Sequence, residues 1–143
     1  MKHYVKKLTE LTTLEFYSIV KERTAVFVVE QNCPYQEVDT IDKNACHTFF
    51  KDESGEILAY TRIYHDEESV HFGRVLVNQQ HRKEGLGRKI VQRTLEVIEE
   101  NASGKPIVIG AQEYLKSFYE SFGFEAISEV YLEDGIPHLD MRK

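Results

Sequence analysis

Apolar residues first recur with a helical period between Thr12 and Gln31, where Leu14, Phe16, Ile19, Val20 and Phe27 predict one or two helices after a short opening strand, HYVKKL. The stretch NCPYQEVDTIDKNA interrupts that period, and its polar residues and Pro34 predict a loop. Three runs with strand character follow, CHTFFKD, ILAYTRIYH and VHFGRVLVN, and the turns ESGE and DEES between them suit an antiparallel meander. The helical period returns at Leu86, Ile90, Val91, Thr94, Leu95 and Ile98, which predicts a helix from about Gly85 to Glu100 with one buried face. KPIVIGAQ reads as a buried strand, and EYLKSFYESF as a helix stopped by Gly123. FEAISEVYL and IPHLDMR read as two strands around Asp134-Gly135, a strong hairpin turn signal. The pattern is mixed α/β, and with no repeat or linker within it, residues 1–143 are expected to form a single domain.

Composition agrees with a folded chain. Hydrophobic residues make up 41%, and the eight Tyr and eight Phe argue against disorder. No apolar run near the start is long enough for a signal-peptide core or a membrane span, so a cytoplasmic location is expected. Cys33 and Cys46 lack CxxC spacing and predict neither a metal site nor a disulfide framework. On a strand, Cys46 and His47 point to opposite faces and do not make a nucleophile and base.

Charge changes the picture at one place. The chain has 18 Lys plus Arg against 24 Asp plus Glu, yet QQHRKEGLGRKIVQRTL carries Arg82, Lys83, Arg88, Lys89 and Arg93 against Glu84 alone. Helix starts normally favour acidic residues, because their unpaired N–H groups and dipole are partly positive. Cations there, with Gly85 and Gly87 allowing close approach to backbone amides, point to a bound polyphosphate. The alternative is a solvated basic loop. The P-loop pattern and the third glycine of the dinucleotide fingerprint are both missing, which disfavours ATP and NAD. A short basic patch in an acidic chain, without interleaved aromatics, also disfavours nucleic acid.

The strand RVLVN, the loop RKEGLG of the form (Q/R)xxGx(G/A), a helix, a strand and then YLKSFYESFGFE resemble the Gcn5-related N-acetyltransferases, and within them the ElaA-like branch. The resemblance spans Val5 to Met141. It implies an acyl-CoA N-acyltransferase fold, with a mostly antiparallel central sheet of about seven strands and about four helices. It also implies acetyl-CoA as donor. The amides of Arg82, Lys83, Glu84, Gly85, Leu86, Gly87 and Arg88 would cradle the pyrophosphate, and Val75, Leu76 and Val77 would pair with the pantetheine arm between the splayed strands of Val77 and Ile109. Gln112 stands where many relatives have Asn, with the same donor and acceptor groups on a longer stem.

Acyl transfer to an amine needs a neutral amine, a donor for the developing oxyanion and a proton for the leaving thiolate. The resemblance makes Tyr119 the proton donor, although its spacing with Leu115, Phe118 and Phe122 fits core packing equally well. An amide near Leu76 or Val77, turned by a bulge, would serve the oxyanion. Glu30, Glu37, Asp39 and Asp42 form an acidic stretch that either walls the acceptor site, favouring a cationic amine, or is solvated. Glu30, His47, Arg74 and His138 are the acceptor-site candidates, and the histidines are also candidate bases, as is His71. Primary amines of a small molecule or peptide are the expected acceptors, with no metal or membrane partner, and a monomer or homodimer as the assembly. Two rival readings are a CoA-binding sensor without turnover and a protein-interaction module with an incidental basic loop.

Overall fold

The computed structural model describes all residues from Met1 to Lys143. Strand β1 (Lys2–Lys7) is followed by α1 (Thr13–Arg23), then by a meander of β2 (Cys46–Lys51), β3 (Ile57–His65) and β4 (Val70–Val77). Next come α2 (Leu86–Ala102), β5 (Val108–Gln112), α3 (Lys116–Glu120), β6 (Glu125–Ala126), β7 (Tyr131–Glu133) and β8 (Ile136–Arg142). The mixed α/β acyltransferase fold is the one expected, and its pairings within the two sheets are antiparallel throughout. The strands number eight because 124–132 breaks into two short strands, β6 and β7, which pair with different parts of β8.

Local chemistry starts the first helix. Thr12 caps α1 by accepting from the Glu15 amide, while the Glu15 carboxylate takes the Thr12 amide in return. The helical stretch that follows is not α-helical to Gln31. Thr24–Glu30 winds as a π-helix, with Gln31 bonding back to Val26 and Cys33 to Val28. Val26, Val28 and Val29 are β-branched and weaken the α-helical preference there. Three α-helices and this wider turn therefore stand where about four helices were expected.

The sheet is in two halves. One runs β1-β2-β3-β4, and the other pairs β5, β6 and β7 with β8. Helix α2 covers one face of the first half through Leu86, Ile90, Val91 and Ile98, and buried Thr94 hydrogen-bonds Thr61 of β3 at 2.7 Å. The other face carries Ile19 of α1 and Val26 of the π-helix against Phe49, Ile57, Tyr60 and Leu76. Asp134 and Gly135 turn β7 into β8 with φ of 52° and 78°, the left-handed pair that a two-residue hairpin requires.

Glu15 also receives Lys6 and Lys51 from β1 and β2 at 2.9 and 2.8 Å. Burial pushes its pKa up, but the hydrogen bonds from Lys51, the Thr12 amide and Lys6 outweigh that and hold it at about 2, against an ordinary 4.5. A depressed carboxyl stabilises the fold fully above its unfolded value and loses that contribution as pH falls from 4.5 through 2. Glu15→Gln is expected to lower Tm at neutral pH by on the order of 5 °C. Its gap to the wild type should close as pH approaches 2 in a thermal titration; a gap that stays constant with pH would assign the loss to packing.

Candidate active site

Strands β4 and β5 run parallel and meet only at their beginnings. Val70 bridges Ile107, the Val70 amide donates to the Pro106 carbonyl, and His71 Nδ1 donates to the Val108 carbonyl at 2.8 Å. Beyond that pin the strands diverge toward Val77 and Gln112, so the two half-sheets open into a V. The V is the floor of a cleft of about 1380 Å³, larger than the roughly 300–1,000 Å³ typical of a small-ligand site. His71 is thus a fastener at the apex of the V, its Nε2 held by Asp66 at 2.6 Å.

The wall along β4 contains a bulge. Tyr60 pairs with Leu76 and Arg62 with Gly73, so Arg74 and Val75 together face Thr61. Arg74 takes a left-handed φ of 51°. The extra residue reverses the side chains beyond it. Phe72 lies in the core under α2, and Leu76, which an uninterrupted strand would place on the same side, lies in the core under α1. The bulge falls at Arg74-Val75, not at Leu76 or Val77 as the sequence suggested; Val75 and Val77 still edge the cleft.

At one end the cleft reaches the start of α2. Gly85 is its N-cap at φ 77°, and a Cβ there would meet no atom within 4 Å, so the helix amides are open to a ligand. Side chains of the basic segment are less free than its charge implies. Arg82 pairs with Glu30 at 2.6 and 2.7 Å, and this holds the Glu30 pKa at about 2. Glu30 lines the cleft, but its carboxylate is taken up by Arg82 and so ties the end of the π-helix to the segment before α2. Arg88 lies over Phe122 at 4.7 Å and donates to Ser121, while Glu84 faces His81 at 3.4 Å. Those two side chains leave the cleft, so the segment offers its amides and Lys83.

Tyr119 lies midway along the cleft at 4% exposure, on α3 among Phe72, Phe118 and Phe124. Burial, with a smaller contribution from Tyr114, raises its phenol pKa far above 10, and no protein group hydrogen-bonds the hydroxyl. It is a neutral donor without a partner in the protein. Gln112 ends β5 opposite His138 of β8, and both line the cleft.

The two candidate histidines separate. His47 is fully buried away from the cleft, with Nδ1 at 2.6 Å from the Tyr60 hydroxyl and Nε2 at 3.2 Å from the Asp42 carbonyl. Both nitrogens are occupied and burial lowers its pKa, so His47 is a structural residue and not an acceptor contact. His138 lines the cleft; its Nδ1 is 2.7 Å from the Ile136 carbonyl, which can only accept, so Nδ1 donates and the neutral ring keeps its lone pair on Nε2. Glu133 stands 3.5 Å from that Nε2, and Tyr131 stacks on the ring.

The acidic stretch is also corrected. Glu37 and Asp42 are buried, and with Asp39 they pair to Arg23, Arg62 and Arg74. Three acids meet three guanidiniums, so this wall is neither solvated nor a net attraction for cations. Arg74 belongs to that network through Glu37 and Asp39. The pairing was not legible because the partner cations come from α1, β3 and β4, while the motif itself contains no basic residue.

An open helix start at Gly85, a V between parallel strands and a tyrosine hydroxyl without a protein partner are the features of an acyl-CoA N-acyltransferase, the class that acts on amines with a CoA thioester. Comparison places the chain in it: residues 14–143 match the acetyltransferase (GNAT) domain family, and the protein belongs to that family. It is 42% identical to Protein ElaA of Escherichia coli over 139 residues, covering 94% of this chain and 91% of ElaA. The ElaA crystal structure superposes with a TM-score of 0.95 at 39% identity, covering 100% of this chain and 99% of that one. An acyl-CoA N-acyltransferase of Pseudomonas aeruginosa gives a TM-score of 0.94 at 39% identity, covering 99% and 98%.

Proposed function

We propose that this protein transfers an acetyl group from acetyl-CoA to a primary amine by direct attack on the thioester. The observation that carries the reading is one continuous cleft, from the open amides at Gly85, past the β4 bulge, to the hydroxyl of Tyr119. The helix start and Lys83 bind the pyrophosphate. The arm lies along Val75 and Val77 with Gln112 opposite, and the bulge amides receive the thioester carbonyl.

His138 takes one proton from the bound ammonium on Nε2, with Glu133 beside it to steady the imidazolium and attract the cation. The freed amine attacks the carbonyl carbon, and negative charge builds on the oxygen facing the bulge. Collapse forms the amide and breaks the C–S bond as Tyr119 O–H protonates the departing sulfur; the nitrogen's second proton restores the phenol, and the proton held on His138 leaves to solvent. Acetyl-CoA and an ammonium give the N-acetyl amine, CoA thiol and one proton to solvent. With the acids near residue 40 neutralised, Glu133 and Asp134 of the hairpin turn, with Asp140 of β8, are the cleft carboxylates without a paired guanidinium that favour a cationic acceptor.

The testing measurement is Tm with and without acetyl-CoA. At about 100 times its dissociation constant, a ligand of the folded state adds roughly 2.7 kcal/mol, a rise on the order of 5–10 °C for a domain near this size. No rise would remove the donor. After a rise, thiol release with an amine panel separates an enzyme from a sensor without turnover.

A further inference from the structure

The bulge of β4 has an unusual occupant. Left-handed backbone suits Gly, Asn and Asp; at Arg74 the Cβ crowds the following carbonyl, and such strain persists only where the surroundings over-determine it. What holds Arg74 is visible. Its Nε lies 2.8 Å from Glu37 Oε2 as an ion pair out of hydrogen-bond alignment, its Nη2 donates to the Glu37 carbonyl at 3.2 Å and lies 3.5 Å from Asp39 Oδ2, and its guanidinium covers the Tyr35 ring at 5.3 Å. Glu37 is itself fixed. Its Oε1 accepts from Nε of fully buried Arg23 at 2.5 Å, its Oε2 accepts from Tyr35, and Arg23 Nη2 donates to the Glu37 carbonyl at 2.9 Å. A rigid chain of contacts thus runs from α1 through the loop to the one residue whose conformation sets the bulge.

We propose that Glu37 and Arg74 are positioning residues, and that their ion pair holds the β4 bulge in the left-handed conformation that turns its amides toward the thioester carbonyl. The inference rests on the acetyl-CoA reading above and adds the device that sets its oxyanion donors. Arg74 lies at the rim of the acceptor end, yet on this view its task is conformational. Glycine adopts the same φ at no steric cost. Arg74→Gly removes the side chain and keeps the bulge, whereas Arg74→Ala removes the anchor and leaves the strain.

The readout is the ratio of CoA to acetyl-CoA dissociation constants by calorimetry, which reports the carbonyl contact without an acceptor. Arg74→Ala is expected to shrink the wild-type ratio by about three- to tenfold, the worth of one hydrogen bond, and Arg74→Gly to restore it. Glu37→Gln should shrink it as well, with Tm recorded to confirm a folded protein. A ratio unchanged in Arg74→Ala, or reduced equally in Arg74→Gly, would overturn the proposal. Wild-type protein that binds both ligands equally removes the carbonyl contact and this inference but leaves the donor, and wild-type protein that binds neither removes both.

Discussion

Gly85→Asp is expected to abolish measurable acetyl-CoA binding while leaving the fold intact. The fold survives because Gly85 sits at φ 77°, a region that Asp and Asn tolerate better than other side chains, and because a Cβ there meets nothing within 4 Å. The ligand is what suffers. A carboxylate about 4 Å from one phosphate charge costs about 4 kcal/mol at an effective dielectric of about 20, and even half of that weakens binding about thirtyfold. The helix amides would also take the new carboxylate as their own anion. Gly85→Asn has nearly the same shape without the charge and should lose only several-fold by calorimetry. Asp binding within threefold of wild type would place the pyrophosphate elsewhere.

Tyr119→Phe should reduce turnover by about a hundredfold, the lower end of what a general acid contributes. It should change acetyl-CoA affinity by less than about twofold, because an interaction made only in the transition state lowers kcat without affecting ground-state binding. The packing argument points the same way. Phe keeps the ring contacts with Phe72, Phe118 and Phe124 and deletes only a hydroxyl that no protein group satisfies, so Tm should hold or rise slightly. Burial raises the phenol pKa, so the wild-type hydroxyl stays protonated throughout the neutral range and causes no loss of rate there. Equal turnover in Tyr119→Phe would return the residue to the core.

Much of the scaffold was legible in the sequence because it rests on short-range rules. The stripe from Leu86 to Ile98 is a 3.6-residue period that could bury only one helix face, and that face is the one under the sheet. Asp134-Gly135 sets the last hairpin through backbone conformation alone, and Gly85 marks the helix start in the same way. The expectation of an anion at the α2 start rested on cations standing where a helix dipole disfavours them. Residues 24–30 were harder, since a helical period does not distinguish α from π winding when valines repeat at adjacent positions.

What each polar side chain does was decided by tertiary structure. His47 and His138 both fall on strands, yet one is sealed between Tyr60 and a carbonyl and the other opens into the cleft. Glu37 looked like one of four similar acids until Arg23, 14 residues away, and Arg74, 37 residues away, closed around it. Glu30 likewise found Arg82 at a separation of 52 residues. By itself the sequence determined the periods, the turns and the place where a phosphate could bind. A splay between the strands of Val77 and Ile109 was expected from the resemblance, but the placing of the bulge at Arg74-Val75 and the pairing of the buried charges came only from the folded chain, because register and ion pairing depend on neighbours that local spacing does not specify.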